Sequence, residues 1–165
     1  MTDVGLRRAT AADALAVGDV FNAAVAAAWT HLDGLEREPL FSAQEWHDVV
    51  CAHLGHDVLL VAVEPAGAVV GFSAVHPGDG EVYLLFVDPA HAGHGVGRAL
   101  LRAGHEILKA AGCSQAFLFT QATNDRARAV YTAAGYRPDG QTRTSEFRGR
   151  IVPEVRMTVD LERTK

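Results

Sequence analysis

The apolar and polar positions along the chain follow two periods, one typical of strands and one typical of helices. Short β-branched runs predict strands, and amphipathic runs that begin at capping residues predict helices. In the first half of the chain, strands are predicted at residues 4–8, 58–64, 69–75 and 81–87, and helices at about residues 10–28 and 42–53. The run from Glu81 to Val87 is apolar almost without interruption, which predicts a strand at the centre of the sheet.

The second half of the chain continues the alternation of helices and strands. It predicts helices at about residues 96–111 and 125–134, a strand at residues 115–120, and a closing hairpin of residues 142–147 and 151–161. Gly112 and Gly135 end the two helices, and Pro153 predicts an edge or bulge position in the last strand. The elements together predict an α/β (α+β) fold with a mixed sheet of about seven strands and about four helices.

Composition narrows the class of protein. The chain has 165 residues, 48% of them apolar, without repeats or linkers, so residues 1–165 are expected to form a single domain. No run approaches the ~20 apolar residues that span a bilayer, so a cytoplasmic protein without a membrane partner is expected. The formal charge of -5 and the absence of a basic run argue against nucleic acid. Cys51 and Cys113 are predicted to be small buried apolar residues.

Three glycines at alternate positions, Gly93, Gly95 and Gly97, lie between the predicted central strand and the next helix. Glycine lets the backbone approach an anion closely, and the free amides and the dipole at a helix start favour negative charge. The segment from Val87 to Arg98 therefore predicts a pyrophosphate site over the amides of residues 93–98. A flexible turn is the alternative interpretation of the same glycines.

Spacing excludes two other glycine-rich phosphate loops. A Walker loop requires a lysine after its last glycine, and this segment has none. A dinucleotide-binding loop requires Gly or Ala at position 98 or 100, where the chain has Arg98 and Leu100. Neither pattern fits this segment.

Two segments of the chain resemble the GNAT superfamily of N-acetyltransferases. Residues 92–97, Ala-Gly-His-Gly-Val-Gly, are similar to the family's cofactor loop, usually Gln/Arg-x-x-Gly-x-Gly/Ala, although Ala92 stands where the family generally has Gln or Arg. Residues 124–136, Asn-x-x-Ala-x-x-x-Tyr-x-x-x-Gly-Tyr, are similar to the family's second cofactor segment. The element order resembles the family from Leu6 to Leu161, which implies a mostly antiparallel central sheet.

The resemblance implies an enzyme that transfers the acetyl group of acetyl-CoA to a primary amine, on a small molecule or a peptide N-terminus, by direct attack in a ternary complex. It implies an oxyanion-binding backbone amide near Val87 and Tyr131 as the general acid for the leaving thiolate. Packing on the sheet is the alternative role of Tyr131, and helix capping that of Asn124. The residues that the resemblance places at the cofactor are Phe86, Val87, Gly93, His94, Gly95, Val96, Gly97, Arg98, Asn124 and Tyr131.

A primary ammonium must lose its proton before it attacks, so a base is expected. Glu81 is the first candidate because it begins the central strand, where the family often has a glutamate; a solvated strand end is the alternative. His76 and water remain open as the base. The pairs His53-x-x-His56 and His91-x-x-His94 lack a third ligand at a recognised spacing, so no metal is predicted.

The acceptor site is the least determined part of the sequence. Trp29, His31, Glu36, Phe41 and Trp46 are candidates for its lining, and packing in the core explains them equally well. A CoA-binding regulatory module that has lost turnover is the alternative function, and Ala92 favours it slightly. A monomer and a homodimer both remain open.

Overall fold

The computed structural model describes residues 3–28, 41–147 and 149–162. Its helices are α1 (Ala14–Ala28), α2 (Ala43–Leu54), α3 (Val96–Ala110) and α4 (Asp125–Ala133). Its strands are β1 (Gly5–Arg8), β2 (Val58–Val63), β3 (Val69–His76), β4 (Glu81–Val87), β5 (Gln115–Gln121), β6 (Arg137–Phe147) and β7 (Arg150–Asp160). The predicted mixed sheet of seven strands with four helices is confirmed for this part of the chain.

The seven strands form one sheet in the order β1-β2-β3-β4-β5-β7-β6. Every neighbouring pair is antiparallel except β4 and β5, which are parallel. Because parallel strands end at the same edge of a sheet, the segments that follow β4 and β5 lie side by side. The glycine loop and the start of α4 therefore share one edge.

The sheet is packed on both faces. The α3 face, against which α3 packs, buries mainly aliphatic side chains together with Tyr136. The α1 face, against which α1 and α2 pack, buries an aromatic cluster that includes Phe21, Trp46 and Phe72. β4 contributes side chains to both clusters, which places it between the two layers of helices.

The segment Ala11–Ala28 is long and apolar enough to cross a membrane by length and composition alone. Its apolar side, which includes Val17, Val20 and Val25, is buried against the α1 face of the sheet. Packing in the core therefore accounts for the apolar character of this helix.

Three local expectations differ from the structure. β6 begins at Arg137, five residues before its predicted start, because a shift of register between Pro138 and Thr142 absorbs the turn residues within the strand. β7 is an interior strand, and Pro153 lies where its pairing with β5 ends: its carbonyl accepts the amide of Ala122 at 2.9 Å, and only the reciprocal bond, for which proline has no N–H, is missing. Cys51 is exposed, which contradicts its predicted burial, since it lies on the outer side of α2.

The close approach of α1 and α2 at Gly18 gives a test of the packing between them. We expect Gly18→Ala to lower the free energy of unfolding by about 1–2 kcal/mol, because the added Cβ would lie 2.6 Å from Cδ1 of the Trp46 ring. Overpacking costs ~1–3 kcal/mol, which exceeds the ~1 kcal/mol that alanine gains over glycine in a helix. Urea denaturation measures the difference. Gly55→Ala is the control, since its Cβ would meet nothing closer than 3.9 Å, and an equal loss there would contradict the packing argument.

Candidate active site

The loop between β4 and α3 forms an open cradle of backbone amides. Gly93 and Gly95 adopt φ angles of 80° and 88°, which only glycine takes readily, and an added Cβ at either would meet nothing within 4 Å. Gly95 is the N-cap of α3. Within the described residues, no backbone carbonyl accepts a hydrogen bond from the amides of residues 93–98, whereas the amide of Ala99 donates to Gly95. These amides and the helix dipole fit an anion such as a pyrophosphate.

The residues around the cradle divide between contact with solvent and contact with the core. His94 and Arg98 are exposed, and Arg98 has no hydrogen-bond partner in the described chain, so both side chains are accessible from the loop. Val96 is buried in the cluster on the α3 face. Gly97 has an ordinary φ, and a Cβ there would contact Val87 at 3.6 Å. Val96 and Gly97 thus anchor the loop to the sheet, while Gly93 and Gly95 shape the cradle.

β4 and β5 part directly beyond the first residue of β4 and the third residue of β5. In the described residues their pairing is confined to Glu81 opposite Phe117. We call the gap between the two strands beyond this pair the wedge. Phe86 and Val87 lie along it and are half-buried, and Val82 is the only fully buried residue of β4. The expectation that β4 is central is confirmed, and its side chains are mostly half-buried because β5 diverges from it.

A bulge in β4 places two consecutive side chains, those of Tyr83 and Leu84, on the same face of the sheet. Ala74 pairs with Leu84 and Val75 pairs with Val82, which leaves Tyr83 as the extra residue on β4. Val82 packs in the cluster on the α3 face, whereas Tyr83 and Leu84 both pack on the α1 face. Since side chains alternate along a strand, Glu81 also faces the α1 side.

The backbone amide of Val87 points into the wedge. The next amide, of Asp88, donates to the carbonyl of Val70 on β3 at 2.9 Å. Successive N–H groups of a strand point to opposite sides, so the amide of Val87 faces away from β3 and toward the wedge. This orientation is the one required of a donor to an oxyanion held between β4 and β5.

Asn124 and Tyr131 enter from α4 at the same edge. The side-chain oxygen of Asn124 accepts a hydrogen bond from the amide of Ala127 at 3.1 Å and caps α4. Its NH₂ group has no partner in the described residues, so capping and a cofactor contact are compatible. Tyr131 packs against the cluster on the α3 face, with its ring 6.0 Å from that of Tyr136.

Burial raises the pKa of Tyr131 to about 12. The phenol is therefore protonated at neutral pH, as a proton donor must be. Its hydroxyl forms no hydrogen bond with any described residue, so the proton is not committed elsewhere. Tyr131 lies on the α3 face of the sheet, and Glu81 lies on the α1 face at the pair where the wedge begins.

Glu81 is largely buried and lies among charged groups. Its side chain is 19% exposed, and Oε1 is buried without a hydrogen-bond partner in the described chain. Arg143 Nη1 lies 3.8 Å from that oxygen, and His76 is the cross-strand neighbour on β3. Burial raises the pKa of Glu81, and the charge of Arg143 opposes this effect. A solvated strand end is therefore not what is observed.

A hydrogen-bonded group beside Glu81 was not predicted from the sequence. The Tyr83 hydroxyl lies 2.8 Å from both Asp57 Oδ2 and His53 Nδ1, and His53 lies 2.9 Å from the same carboxylate oxygen. Burial, and then the hydrogen bond to Asp57, raise the pKa of Tyr83 well above its usual range. His76 Nε2 lies 3.7 Å from the other oxygen of Asp57. The structure thus joins residues far apart in sequence, and the hydroxyl of Tyr83 inside an apolar strand was the only available signal.

The candidate acceptor residues are only partly described. Trp29, His31 and Glu36 lie outside the described residues. Trp46 is buried in the aromatic cluster and belongs to the core, while Phe41 is half-buried and its ring lies 6.3 Å from that of Phe147 on β6. Among the described residues, no three His, Cys, Asp or Glu side chains are grouped as a metal site.

Comparison with known proteins gives a family match and several relatives. Residues 22–136 match the model of the acetyltransferase (GNAT) family. A mycothiol acetyltransferase from Saccharopolyspora erythraea is 44% identical over 75 residues, which are 44% of this chain and 25% of that protein. The chain spans less than a third of the length of the curated relatives it matches.

Solved structures share the fold over nearly the whole chain. An N-acetyltransferase from Rhodopseudomonas palustris has a TM-score of 0.78 at 22% identity, covering 97% of each chain. A phosphinothricin acetyltransferase from Sinorhizobium meliloti, determined in complex with acetyl-CoA, has a TM-score of 0.73 at 23% identity, covering 97% of this chain and 89% of that one. At these identities the likeness shows the fold alone.

Proposed function

The chain belongs to the GNAT family of acetyltransferases, and from that premise we propose that it transfers the acetyl group of acetyl-CoA to a primary amine of a small molecule or a peptide N-terminus. One observation carries the proposal. An open amide cradle and a wedge lie at the same edge of the sheet, with a buried carboxylate on the α1 face where the wedge begins and a protonated phenol on the α3 face. A module that binds CoA without turnover needs only the cradle.

The cradle would hold the pyrophosphate of acetyl-CoA, with Gly93 and Gly95 giving access to the amides of residues 93–98. The exposed Arg98 is positioned to contact a phosphate oxygen as a charged donor. Phe86 and Val87 would line the path of the pantetheine arm along β4, and the free NH₂ group of Asn124 would donate to one of its carbonyls. The thioester supplies an acetyl group activated for attack by an amine.

Each chemical role has a side chain or backbone group on the appropriate side of the wedge. On the α1 face, Glu81 accepts the proton that the ammonium must lose, directly or through water. Within the wedge, the amide of Val87 stabilises the negative charge on the thioester oxygen as the nitrogen–carbon bond forms. On the α3 face, Tyr131 donates its proton to the sulfur as the carbon–sulfur bond breaks.

The activity is tested by measuring thiol release from acetyl-CoA in the presence of amino acids, polyamines, aminoglycosides and peptides with free N-termini. We expect release above the hydrolysis rate with at least one class of amine, and mass spectrometry should find one acetyl group on its nitrogen. Tight CoA binding together with no release for any amine would favour the degenerate module.

The role of Glu81 predicts a change that depends on pH. With an accepted amine, we expect Glu81→Gln to lower kcat by about 10²-fold at neutral pH, because a positioned base contributes typically ~10²–10⁴-fold. The loss should shrink as pH rises, since an amine that has already lost its proton in water needs no base. A profile superimposable on the parent from about pH 6 to about pH 10 would remove Glu81 from the mechanism, and His76 would be the next candidate.

A further inference from the structure

Arg143 reaches from the edge of the sheet to the carboxylate of Glu81. It lies on β6, and β7 and β5 separate that strand from β4. Its Nη1 is nevertheless 3.8 Å from Glu81 Oε1, because the side chain extends over the intervening strands on the α1 face. This contact connects the two sides of the wedge, since Glu81 belongs to one side and Arg143 to the other.

The guanidinium of Arg143 is fixed by two contacts along its path. Its Nε donates to Glu154 Oε2 on β7 at 2.6 Å, and Arg143 is the register partner of Glu154. Its central carbon lies 3.8 Å from the centroid of the Phe119 ring on β5, a cation–π geometry. The Arg143 side chain is 46% exposed, yet these contacts hold its charge in one place.

Several charged groups face Glu81 from the surrounding elements. These groups are His76 on β3, Asp79 in the turn before β4, Glu154 on β7 and Arg143 on β6. On β4 itself, the polar neighbour of Glu81 is Tyr83. Burial raises the pKa of Glu81, Arg143 opposes that effect, and Asp79 and Glu154 add to it. Arg143 therefore makes the largest contribution that favours the ionised carboxylate.

We propose that Arg143 is a positioning residue for acetyl transfer: it keeps Glu81 ionised and in place at the wedge, and the carboxylate is thereby ready to accept the proton of the amine. The inference rests on the proposed role of Glu81 as base. Arg143 acts through Glu81, and its guanidinium is held by Glu154 and Phe119. Its effect is therefore expected on the charge of the base and not on cofactor affinity.

The direct test is a carbon-13 NMR titration of the Glu81 carboxyl group in the CoA-free protein, which requires no acceptor. We expect Arg143→Gln to raise the pKa of Glu81, because the nearest positive charge is lost, and Arg143→Lys to restore it in part. Arg137→Gln is the matched control, since Arg137 is an exposed arginine on the same strand without a side-chain hydrogen bond to any described residue. An unchanged pKa of Glu81 in Arg143→Gln would overturn the proposal.

Turnover gives the second measurement once an acceptor is found. We expect Arg143→Gln to lower kcat several-fold near neutral pH, to regain parental kcat at high pH, and to keep the parental KM for acetyl-CoA. An equal loss of kcat at every pH would assign Arg143 a purely structural role and overturn the proposal. Parental turnover in Glu81→Gln would refute the role of Glu81 as the base. If Glu81→Gln lowers turnover and Arg143→Gln does not, the proposal for Arg143 is wrong and the proposed function stands.

Discussion

Gly95→Val is expected to abolish CoA binding while the chain remains folded. The branched side chain would stand in the open space over the cradle, where a pyrophosphate must approach the amides of residues 93–98. It would also force a β-branched residue to a φ of 88°, a strain of roughly 1–2 kcal/mol or more. Titration calorimetry should find no CoA binding in the concentration range that saturates the parent.

Gly112→Val separates blocked access from backbone strain. Gly112 follows the other end of α3, has a φ of 91°, and also has nothing within 4 Å of an added Cβ. We expect the two variants to lose similar amounts of thermal stability, and only the change at Gly95 to remove CoA binding. Unchanged CoA affinity in Gly95→Val would show that the cradle is not the cofactor site.

Tyr131→Phe is expected to reduce kcat by about 10²-fold and to leave CoA affinity nearly unchanged. The ring would keep its packing on the α3 face, while the proton donor, which contributes typically ~10²–10⁴-fold, would be lost. The low end of that range applies because a thiol of pKa near ~8.5 is already a fair leaving group. The measurement is kcat together with the CoA dissociation constant on one acceptor.

Two outcomes would contradict the acid role of Tyr131. A variant with parental kcat would make Tyr131 a packing residue of α4 only. A variant whose CoA affinity falls in proportion to its rate would assign the hydroxyl to cofactor positioning. Thr132→Ala on the same helix is the control, because the exposed Thr132 hydroxyl bonds only to the carbonyl of Arg128 within the described residues.

The arrangement of the fold was predictable from the sequence, but the accessibility of β4 was not. Periodicity and capping residues determine each element locally, as Ser42 and Glu45 do where they form the reciprocal bonds that start α2. The near-continuous apolar run of β4 predicts its central place in the sheet but gives no indication that its side chains are only half-buried. β4 is half-exposed because β5 diverges from it beyond one pair of residues. This divergence depends on the tertiary packing of two strands that are distant in sequence.

The residues of the candidate site also fall into those that the sequence predicts and those that it does not. The cradle and α4 were found because their residues are contiguous or lie at helical spacing, so a short segment contains the whole signal. Arg143 and Glu154 have no sequence signal because topology alone brings them to Glu81, and the same holds for Asp57, which the fold brings to Tyr83 and His76. Neither the Arg143 contact across two strands nor the group around Tyr83 has a spacing that a linear pattern can detect.

The single backbone pair between β4 and β5 divides the sheet into two sets of strands, β1 to β4 and β5 to β7. Each set has its own hydrogen-bond ladders, whereas beyond Glu81 and Phe117 the two sets are joined by side chains. The wedge can therefore widen without breaking a ladder, and the cost falls on side-chain contacts such as that of Arg143. The width of the wedge is thus set by side-chain packing between the two sets of strands and not by the hydrogen bonds of the sheet.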